Sequence, residues 1–216
     1  MTNTKKNTEN SGAAAQNNAL RKSGYHHGDL RAGLIEATRR LVEEKGADGF
    51  SVSDACRLAG VSSAAPYKHF KDKDEMLAAV ALEGMERHRM AMWQSMQAFP
   101  SGSPQRITAL GREYVRFALS DKGVFCLIFG GYVDRLENDN LHEKGEGTFD
   151  MVLQEVAACM GETEVTEEVA KRGFQLWGFV HGLSFLLADE KLSEKGRGVF
   201  DIDALLGDVA ERILAP

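Results

Sequence analysis

Residues 51–70 read SVSDACRLAGVSSAAPYKHF, and this stretch decides how the N-terminal part of the chain folds. Its apolar positions recur at three- and four-residue spacing before Gly60, as they do on one face of a short helix. Ser51 is an N-cap candidate for that helix, and Ser62 is one for a second short helix that reaches about Phe70. Because Gly60 permits a tight turn between the two helices, the stretch predicts a helix-turn-helix.

Longer helical patterns lie on both sides of this unit. One helix is predicted from His27 to Gly46, and another begins at the N-cap candidate Asp72. Beyond Pro100 the periodicity stays helical and no credible strand appears. The remaining helices are predicted at 107–118, 124–129, 148–160, 164–188 and 202–214. We therefore predict an all-α protein of about nine helices, with an N-terminal three-helix helix-turn-helix domain followed by a helical bundle.

Composition and charge divide the chain in the same way. It has 216 residues, 43% hydrophobic and 27% charged, with a formal net charge of −6. Residues 1–75 carry 12 Lys and Arg against 10 Asp and Glu, whereas residues 76–216 carry 14 against 22. This asymmetry fits a DNA-binding head on an acidic body, although ordinary scatter of surface charge gives the same pattern. Residues 1–24 carry almost no bulky apolar side chains and are predicted to form a flexible, slightly basic arm.

Several classes of protein and site are not expected. No run of about 18 apolar residues is present to span a membrane, and the N-terminus has no apolar segment typical of a secretory signal, so we predict a cytoplasmic protein. The cysteines Cys56, Cys126 and Cys159 stand in apolar contexts and are expected to be reduced core residues. His26 and His27 have no partner at metal-ligand spacing. We therefore predict neither a metal site nor a cofactor.

The sequences around the helix-turn-helix carry a family resemblance. The segments YHHGDLRAGLIEATRRLVEEKG (25–46) and GFSVSDACRLAGVSSAAPYKHFKDKDEMLAAV (49–80) closely resemble the TetR family of repressors over about residues 25–82. The resemblance implies a transcription repressor with a DNA-binding domain at 25–75 and a ligand-binding and dimerisation domain at 76–216. Operator DNA, a second copy of the chain and a small effector are the partners it implies.

Position by position, the resemblance assigns DNA contacts within this unit. Base reading is expected from the exposed side of the second short helix, which is short enough to lie in a major groove about 12 Å wide. Tyr67, Lys73 and Ser51 match positions that hold backbone phosphates. Alternatively, Tyr67 packs, His69 is a capping or core residue, and Ala65 is purely structural. The complete set of expected DNA contacts is Ser51, Ser62, Ser63, Ala64, Ala65, Tyr67, Lys68, His69 and Lys73.

Pro66 departs from the family pattern, in which an apolar residue such as Leu is more usual at this place. Proline is tolerated in the first turn of a helix, but one position deeper it removes a backbone hydrogen bond. We therefore expect the second short helix to start late or to bend. Arm residues such as Arg21 and Lys22 are expected to reach toward a minor groove or toward phosphates.

The acidic body is rich in bulky apolar side chains, most of which must form its core. Its segments YVRFALSDKGVFCLIFGGY (114–132) and LWGFVHGLSFLL (176–187) look like a TetR-family C-terminal subgroup with a Trp, His, Gly signature. This resemblance implies a pocket for an effector, most simply an apolar one, although a cationic effector stays open. His181 is either a packed, hydrogen-bonded residue or a ligand contact. The expected ligand-binding residues are Trp93, Met96, Phe117, Phe125, Phe129, Trp177 and His181.

Three glycines interrupt the long helix at 164–188. Gly173, Gly178 and Gly182 each cost about 1 kcal/mol relative to alanine, so a ligand or a partner helix is expected to pack closely against the backbone there. In the TetR family the last two helices form a four-helix bundle with those of a second copy, which implies an interface at 164–188 and 200–214. The expected interface residues are Gly178, Gly182, Phe185 and Leu205.

Two other classes of function were weighed. An enzyme using His181 with Cys126 or Ser184 finds no support, because the sequence has no nucleophile elbow, phosphate loop or HExxH pattern. Burial of Cys126 within VFCLIF would also raise its pKa rather than activate it. The third possibility is an interaction protein whose head binds another protein.

Overall fold

The computed structural model describes residues 27–136, 138–189 and 201–215. Within these ranges every regular element is helical, and the prediction of an all-α fold is confirmed. The predicted arm at 1–24, with Arg21 and Lys22, lies outside the described residues, as do His26 and the expected linker at 193–198.

Eight α-helices and two short 3-10 helices make up the described parts of the chain. The 3-10 helices span Pro66–Lys68 and Val133–Arg135. The α-helices are α1 (His27–Lys45), α2 (Val52–Ala59), α3 (Lys73–Met96), α4 (Pro104–Ser120), α5 (Lys122–Phe129), α6 (Asp139–Met160), α7 (Glu167–Ala188) and α8 (Ile202–Leu214).

The start of the helix-turn-helix follows the sequence prediction closely. Ser51 caps α2 in a capping box: its hydroxyl accepts a hydrogen bond from the Asp54 amide at 3.2 Å, and the Asp54 carboxylate accepts one from the Ser51 amide at 2.9 Å. Gly60 ends the helix with φ at 70°, in the left-handed region that favours glycine. The tight turn predicted from these residues is therefore present.

The second short helix of this unit is where the sequence prediction was wrong. In place of an α-helix from Ser62 to Phe70, the chain forms turns and the 3-10 helix Pro66–Lys68. An α-helix starting there would need a hydrogen bond from the amide of residue 66 to the Ser62 carbonyl, and proline has no amide hydrogen to donate. The Ser62 carbonyl instead accepts from the Ala65 amide at 3.0 Å. Ser62 therefore does not cap a helix in the predicted way.

Helix α6 is a second correction, because it begins at Asp139 rather than at residue 148. It runs straight through Gly145 and Gly147, which the sequence prediction had placed before the helix. Glycine lowers helix stability by about 1 kcal/mol relative to alanine, but packing of an apolar face easily exceeds that amount. Leu141, which is 1% exposed, provides this packing in the first turn of the helix.

Helix α3 connects the two parts of the molecule. Asp72 caps its N-terminus by accepting a hydrogen bond from the Glu75 amide at 2.9 Å, as predicted. Its first turns pack on α1, and its later turns pack on α4, α5 and α6. The buried side chains on this helix, from Met76 to Met96, belong to one continuous core that extends from the N-terminal helices into the body. Helix α3 is therefore part of the core of both the N-terminal helices and the body.

The described parts of the chain lack membrane-spanning helices and metal-binding groups. They contain no helix that is both long and apolar enough to cross a membrane. They also contain no group of three or more His, Cys, Asp or Glu side chains placed to hold a metal ion. Cys56, Cys126 and Cys159 are all unpaired thiols, with Cys56 buried and the other two partly buried.

Candidate functional site

The reading segment, residues 61–70, presents a small exposed surface on a buried anchor. Pro66 and Phe70 are buried and hold it against the helices of the head. Tyr67 is 64% exposed, and Lys68 beside it is also exposed. Of the other candidate DNA contacts in this segment, Ser62, Ser63 and Ala64 are exposed, whereas Ala65 and His69 are partly buried.

Two further candidate DNA contacts are already engaged within the protein. The Ser51 hydroxyl donates to Asp54 at 2.7 Å in addition to its role in the capping box. This hydrogen bond and the one from the Ser51 amide are the main reasons that the pKa of Asp54 is lowered. Lys73 donates from Nζ to the Phe50 carbonyl at 2.7 Å, and the same atom lies 4.3 Å from the centre of the Phe50 ring. Both residues therefore have structural roles, of which the sequence predicted the cap at Ser51 but not the contacts of Lys73 with Phe50.

A cavity of about 440 Å³ lies in the body, between helices α3 to α8. This volume is within the range of small-molecule sites. Its wall is almost entirely apolar, with side chains such as Met92, Leu110, Phe149 and Val180. The charged groups on the wall, Asp134 and Glu146, are exposed and mark its open side.

The seven expected ligand-binding residues lie in different parts of the structure: the cavity wall, the core and the outer surface. Phe129 and Trp177 line the cavity. Phe117, Phe125 and Met96 are at most 5% exposed and belong to the core without lining the cavity. Trp93 is 44% exposed and lies on the outer surface of α3. Bulky apolar character alone did not distinguish cavity wall from core or surface.

His181 is the seventh of these residues, and it belongs to a hydrogen-bonded aromatic cluster. Its Nδ1 atom is 2.8 Å from the hydroxyl oxygen of Tyr114. The ring is also surrounded by those of Phe129, Trp177 and Phe185, with centroids 4.9 to 5.6 Å away. Burial lowers the pKa of His181 and raises that of Tyr114, so both groups are uncharged at neutral pH. The arrangement matches a packed, hydrogen-bonded histidine next to the cavity.

Sequence reasoning missed His88, a histidine of α3 that lines the cavity and is 5% exposed. Its ring stacks on Phe117 with centroids 4.5 Å apart and meets Tyr114 edge-on at 5.1 Å. Its helical spacing could have identified it as a core position, since His88 lies four residues after Gly84 and four before Met92, both of which are buried. A polar residue at that spacing interrupts an otherwise apolar face.

Helix α5 joins the head to the cavity wall. At its N-terminus the Glu43 carboxylate of α1 accepts hydrogen bonds from the amides of Gly123 at 2.7 Å and Val124 at 3.0 Å. A side chain on Gly123 would overlap the backbone of α1, so the two helices approach as closely as glycine permits. At its C-terminus Ile128 and Phe129 line the cavity. The first helix of the head is thus bonded to an element that contacts the cavity.

The three glycines of α7 have two different environments. A side chain on Gly173 would collide with Leu153 of α6, so this glycine is explained by packing within the chain. Gly178 and Gly182 are exposed, and a Cβ on either would meet no atom of the described residues within 4 Å. They lie in a stripe with Phe174, 62% exposed, and Leu186, 47% exposed. The other expected interface residues, Phe185 and Leu205, are partly buried.

Cys126 would be a nucleophile if the protein were an enzyme, but its thiol is not activated. Burial is the main cause that raises the pKa of its thiol, and the Asp189 carboxylate adds to this. A thiol with a raised pKa is a poor nucleophile at neutral pH.

Comparison with known proteins identifies the parts of the chain. Residues 34–80 match the family model described as bacterial regulatory proteins, tetR family, and residues 107–212 match the tetracyclin repressor-like C-terminal domain. The HTH-type transcriptional regulator BetI of Escherichia coli is 32% identical over 76 residues, which are 35% of this chain and 39% of that protein. The alignment therefore spans well under half the length of this curated relative.

Solved structures extend the similarity over most of the chain. A protein of unknown function from Rhodococcus sp. RHA1 is 28% identical with a TM-score of 0.75, covering 89% of this chain and 97% of that one. The transcriptional regulator FadR from Bacillus subtilis, solved in complex with stearoyl-CoA, has a TM-score of 0.64 at 16% identity, covering 85% and 97%. The second likeness shows the fold alone.

The two family models together match more than two thirds of the chain, including the helix-turn-helix and most of the body. The narrower subgroup with a Trp, His, Gly signature is not tested by them and stays a prediction. The chain belongs to the TetR family of DNA-binding transcriptional regulators, and it is not an enzyme.

Proposed function

We propose that this regulator is a cytoplasmic, dimeric repressor, released from its operator when a small apolar effector occupies the cavity. The observation that carries the proposal is the path of α3, which begins beside the reading segment at Lys73 and contributes Met85, His88 and Met92 to the cavity wall. Whatever fills the cavity contacts the same helix that holds the reading segment.

In this proposal residues 25–75 bind DNA and residues 76–216 bind the effector and the second copy. Tyr67 and Lys68 are the main phosphate contacts, because both are exposed and neither side chain is engaged within the reading segment. Ser63 and Ala64 face the base edges, where the Ala64 methyl group suits contact with a thymine methyl and the Ser63 hydroxyl offers a single hydrogen bond. Ser62, Ala65 and His69 support them, and Ser51 and Lys73 contribute at the edge of the interface.

We assign dimerisation to α7 and α8. The exposed stripe of Phe174, Gly178, Gly182 and Leu186 lets the backbone of another helix approach, and none of the residues that the structure describes covers it. Phe185 and Leu205, both partly buried, lie beside this stripe on the two helices. A two-fold dimer of this kind presents two reading segments to half-sites about 34–36 Å apart, or at a multiple of that spacing.

Release then follows from a difference in affinity. An effector that binds better to a body conformation with the wrong spacing of the heads lowers operator affinity by its preference for that conformation. Helices α3 and α5 transmit the change, since both contact the head and the cavity. The FadR structure with stearoyl-CoA supports this assignment to the extent that a related fold holds a ligand with a long apolar chain.

The test measures binding of the full-length protein to the DNA upstream of its own gene by fluorescence anisotropy over a series of salt concentrations. We expect the logarithm of the affinity to fall steeply with the logarithm of salt concentration, by about 0.9 for each phosphate contact. The titration is then repeated with 4-phenylphenol, 4-methylbiphenyl and biphenyl-4-carboxylate, three probes that differ only in one substituent. At least one of them should bind the protein and weaken its hold on DNA.

Each part of the proposal has its own contrary result. A slope near zero contradicts DNA recognition through phosphates. Failure of all three probes to bind contradicts the cavity as a site for apolar effectors. Binding without any change in DNA affinity contradicts release.

A further inference from the structure

His88 is a buried polar side chain without a hydrogen-bond partner. Thr38, His88 and Ser184 are buried polar residues among those that the structure describes, and of these three His88 lines the cavity. Thr38 donates to the Leu34 carbonyl at 2.7 Å. Neither Nδ1 nor Nε2 of His88 has a partner. A buried polar group left unpaired costs about 1–3 kcal/mol, so its presence in the wall calls for an explanation.

Other buried polar groups among the described residues differ in this respect, because Tyr114 has a partner whereas Ser184, which does not line the cavity, also has none. Tyr114 also lines the cavity, and its hydroxyl is bonded to His181. His88 packs directly against the Tyr114 ring but takes no part in that hydrogen bond. Its aromatic neighbours, Tyr114 and Phe117, hold the imidazole in place without satisfying its nitrogens. Because His88 lines the cavity, a molecule held in the cavity is in a position to supply the missing partner.

The charges on the wall restrict what that group can be. No Lys or Arg is present among the described residues that line the cavity, and its two charged groups are the carboxylates of Asp134 and Glu146. Burial, with a smaller contribution from Arg116, lowers the pKa of His88 to about 4, so the imidazole is neutral at pH 7. It then offers one N–H donor and one nitrogen acceptor. An anionic ligand would find no cation and would face two carboxylates.

We propose that the effector is an uncharged, mainly apolar molecule carrying a hydroxyl group, and that this hydroxyl forms a hydrogen bond with His88 inside the cavity. A hydroxyl both donates and accepts, as neutral imidazole does, and the remainder of such a molecule matches the apolar wall. The inference rests on the proposed function, because it names the class of effector for the same cavity.

The experiment compares the three biphenyl probes by equilibrium dialysis against the full-length protein at pH 7. 4-Phenylphenol and 4-methylbiphenyl have nearly the same shape, so their affinities differ mainly through the hydroxyl. We expect the phenol to bind at least about tenfold more tightly than the methyl compound, because a site with an unpaired polar group rejects an analogue that cannot pair with it. Biphenyl-4-carboxylate should bind most weakly of the three.

Two variants assign the preference to His88. His88→Phe keeps an aromatic ring for stacking but removes both nitrogens, and it should bind the methyl compound as tightly as the phenol or more tightly. His88→Gln restores a donor and an acceptor and should restore part of the preference for the phenol. Circular dichroism and thermal melting show whether each variant is folded.

The wild-type measurements can overturn the inference by themselves, whatever the variants do. If the wild-type protein binds the methyl compound or the carboxylate as tightly as the phenol, the inference fails while the cavity stays a ligand site. If the phenol is preferred but His88→Phe keeps the full preference, the hydroxyl contacts another residue and the assignment to His88 fails. If no probe binds, the proposed function itself loses its effector site and the inference fails with it.

Discussion

The reading segment is an exposed surface and the cavity is an internal one, yet their candidate residues divide in the same way. Some have polar atoms that already bind other groups of the protein, and others do not. In the head, Ser51 and Lys73 are engaged with Asp54 and Phe50, whereas Tyr67 and Lys68 are exposed and available. In the cavity, Tyr114 and His181 satisfy each other, whereas His88 lacks a partner. Residue type therefore says less about recognition than whether the fold already uses the side chain's polar atoms.

The largest expected effect separates the head from the body. If assembly depends on the body, Gly182→Arg should place a bulky charge in the proposed interface, produce monomers and lower operator affinity by about 100- to 1000-fold through the loss of bivalent binding. Gly147→Arg is the matched control, because Gly147 is also an exposed helical glycine with no atom of this chain near its Cβ position. Sedimentation and anisotropy check both variants, and a dimeric Gly182→Arg protein would place the interface elsewhere.

The next effect tests the exposed residues of the head. Tyr67→Ala combined with Lys68→Ala should lower operator affinity by about 100-fold and reduce the salt slope by about 2, since each of two heads loses one lysine contact. Lys122→Ala removes an exposed lysine of α5, outside both the reading segment and the proposed interface, and should leave both quantities unchanged. An unaltered salt slope in the double variant would mean that other residues bind the phosphates.

A third prediction concerns His88 and pH. The folded protein keeps His88 neutral down to about pH 4, whereas the unfolded chain binds a proton near pH 6.5, so the free energy of unfolding falls as the pH drops through that window. From pH 7 to pH 5 the contribution of His88 is roughly 2 kcal/mol. Urea unfolding at the two pH values should show this loss in the wild type and much less of it in His88→Phe.

His142, which is exposed at the cavity, provides the matched control for this measurement. His142→Phe should keep the pH dependence of the wild type. Equal losses in the wild type and in His88→Phe would show that His88 is not held neutral in the folded protein.

The smallest effect tests the engaged residues of the head. Lys73→Met keeps most of the side-chain stem but removes the hydrogen bond to the Phe50 carbonyl and the contact with its ring, which should cost about 1 kcal/mol of stability. Lys71→Met, at an exposed neighbour, should cost little. If the stability of Lys73→Met equals that of the wild type, the contacts of Lys73 with Phe50 do not stabilise the fold, and phosphate binding is its remaining proposed role.

The fold could be predicted from the sequence wherever local interactions decide the structure. The N-cap at Ser51, the turn at Gly60 and the cap at Asp72 are all local features, and all three predictions were correct. Pro66 was expected to delay or bend the second short helix, and the segment forms only the 3-10 helix Pro66–Lys68, which begins at the proline. The start of α6 was missed because distant packing of Leu141 outweighs the two glycines that follow it.

The cavity was harder to predict from the sequence, because it too depends on packing between distant residues. Periodicity shows which face of a helix is apolar, but not whether that face meets another side chain or an empty space. Phe125 and Phe129 lie one turn apart on α5, yet only Phe129 lines the cavity. His88 could be noticed as a polar residue at a core position, but its missing partner is visible only once Tyr114, Phe117 and His181 are placed around it.

The glycines of α6 bear on how fast an effector arrives and leaves. Gly145 lines the cavity and Gly147 lies half a turn further on, and together they lower the stability of this part of the helix by about 2 kcal/mol relative to alanines. Transient opening of the first half of α6 should therefore cost less than opening of the second half, and amide hydrogen exchange should be faster there. The residence time of a bound molecule would then be set by the local unfolding of one helix, and replacing the two glycines by alanine should lengthen it.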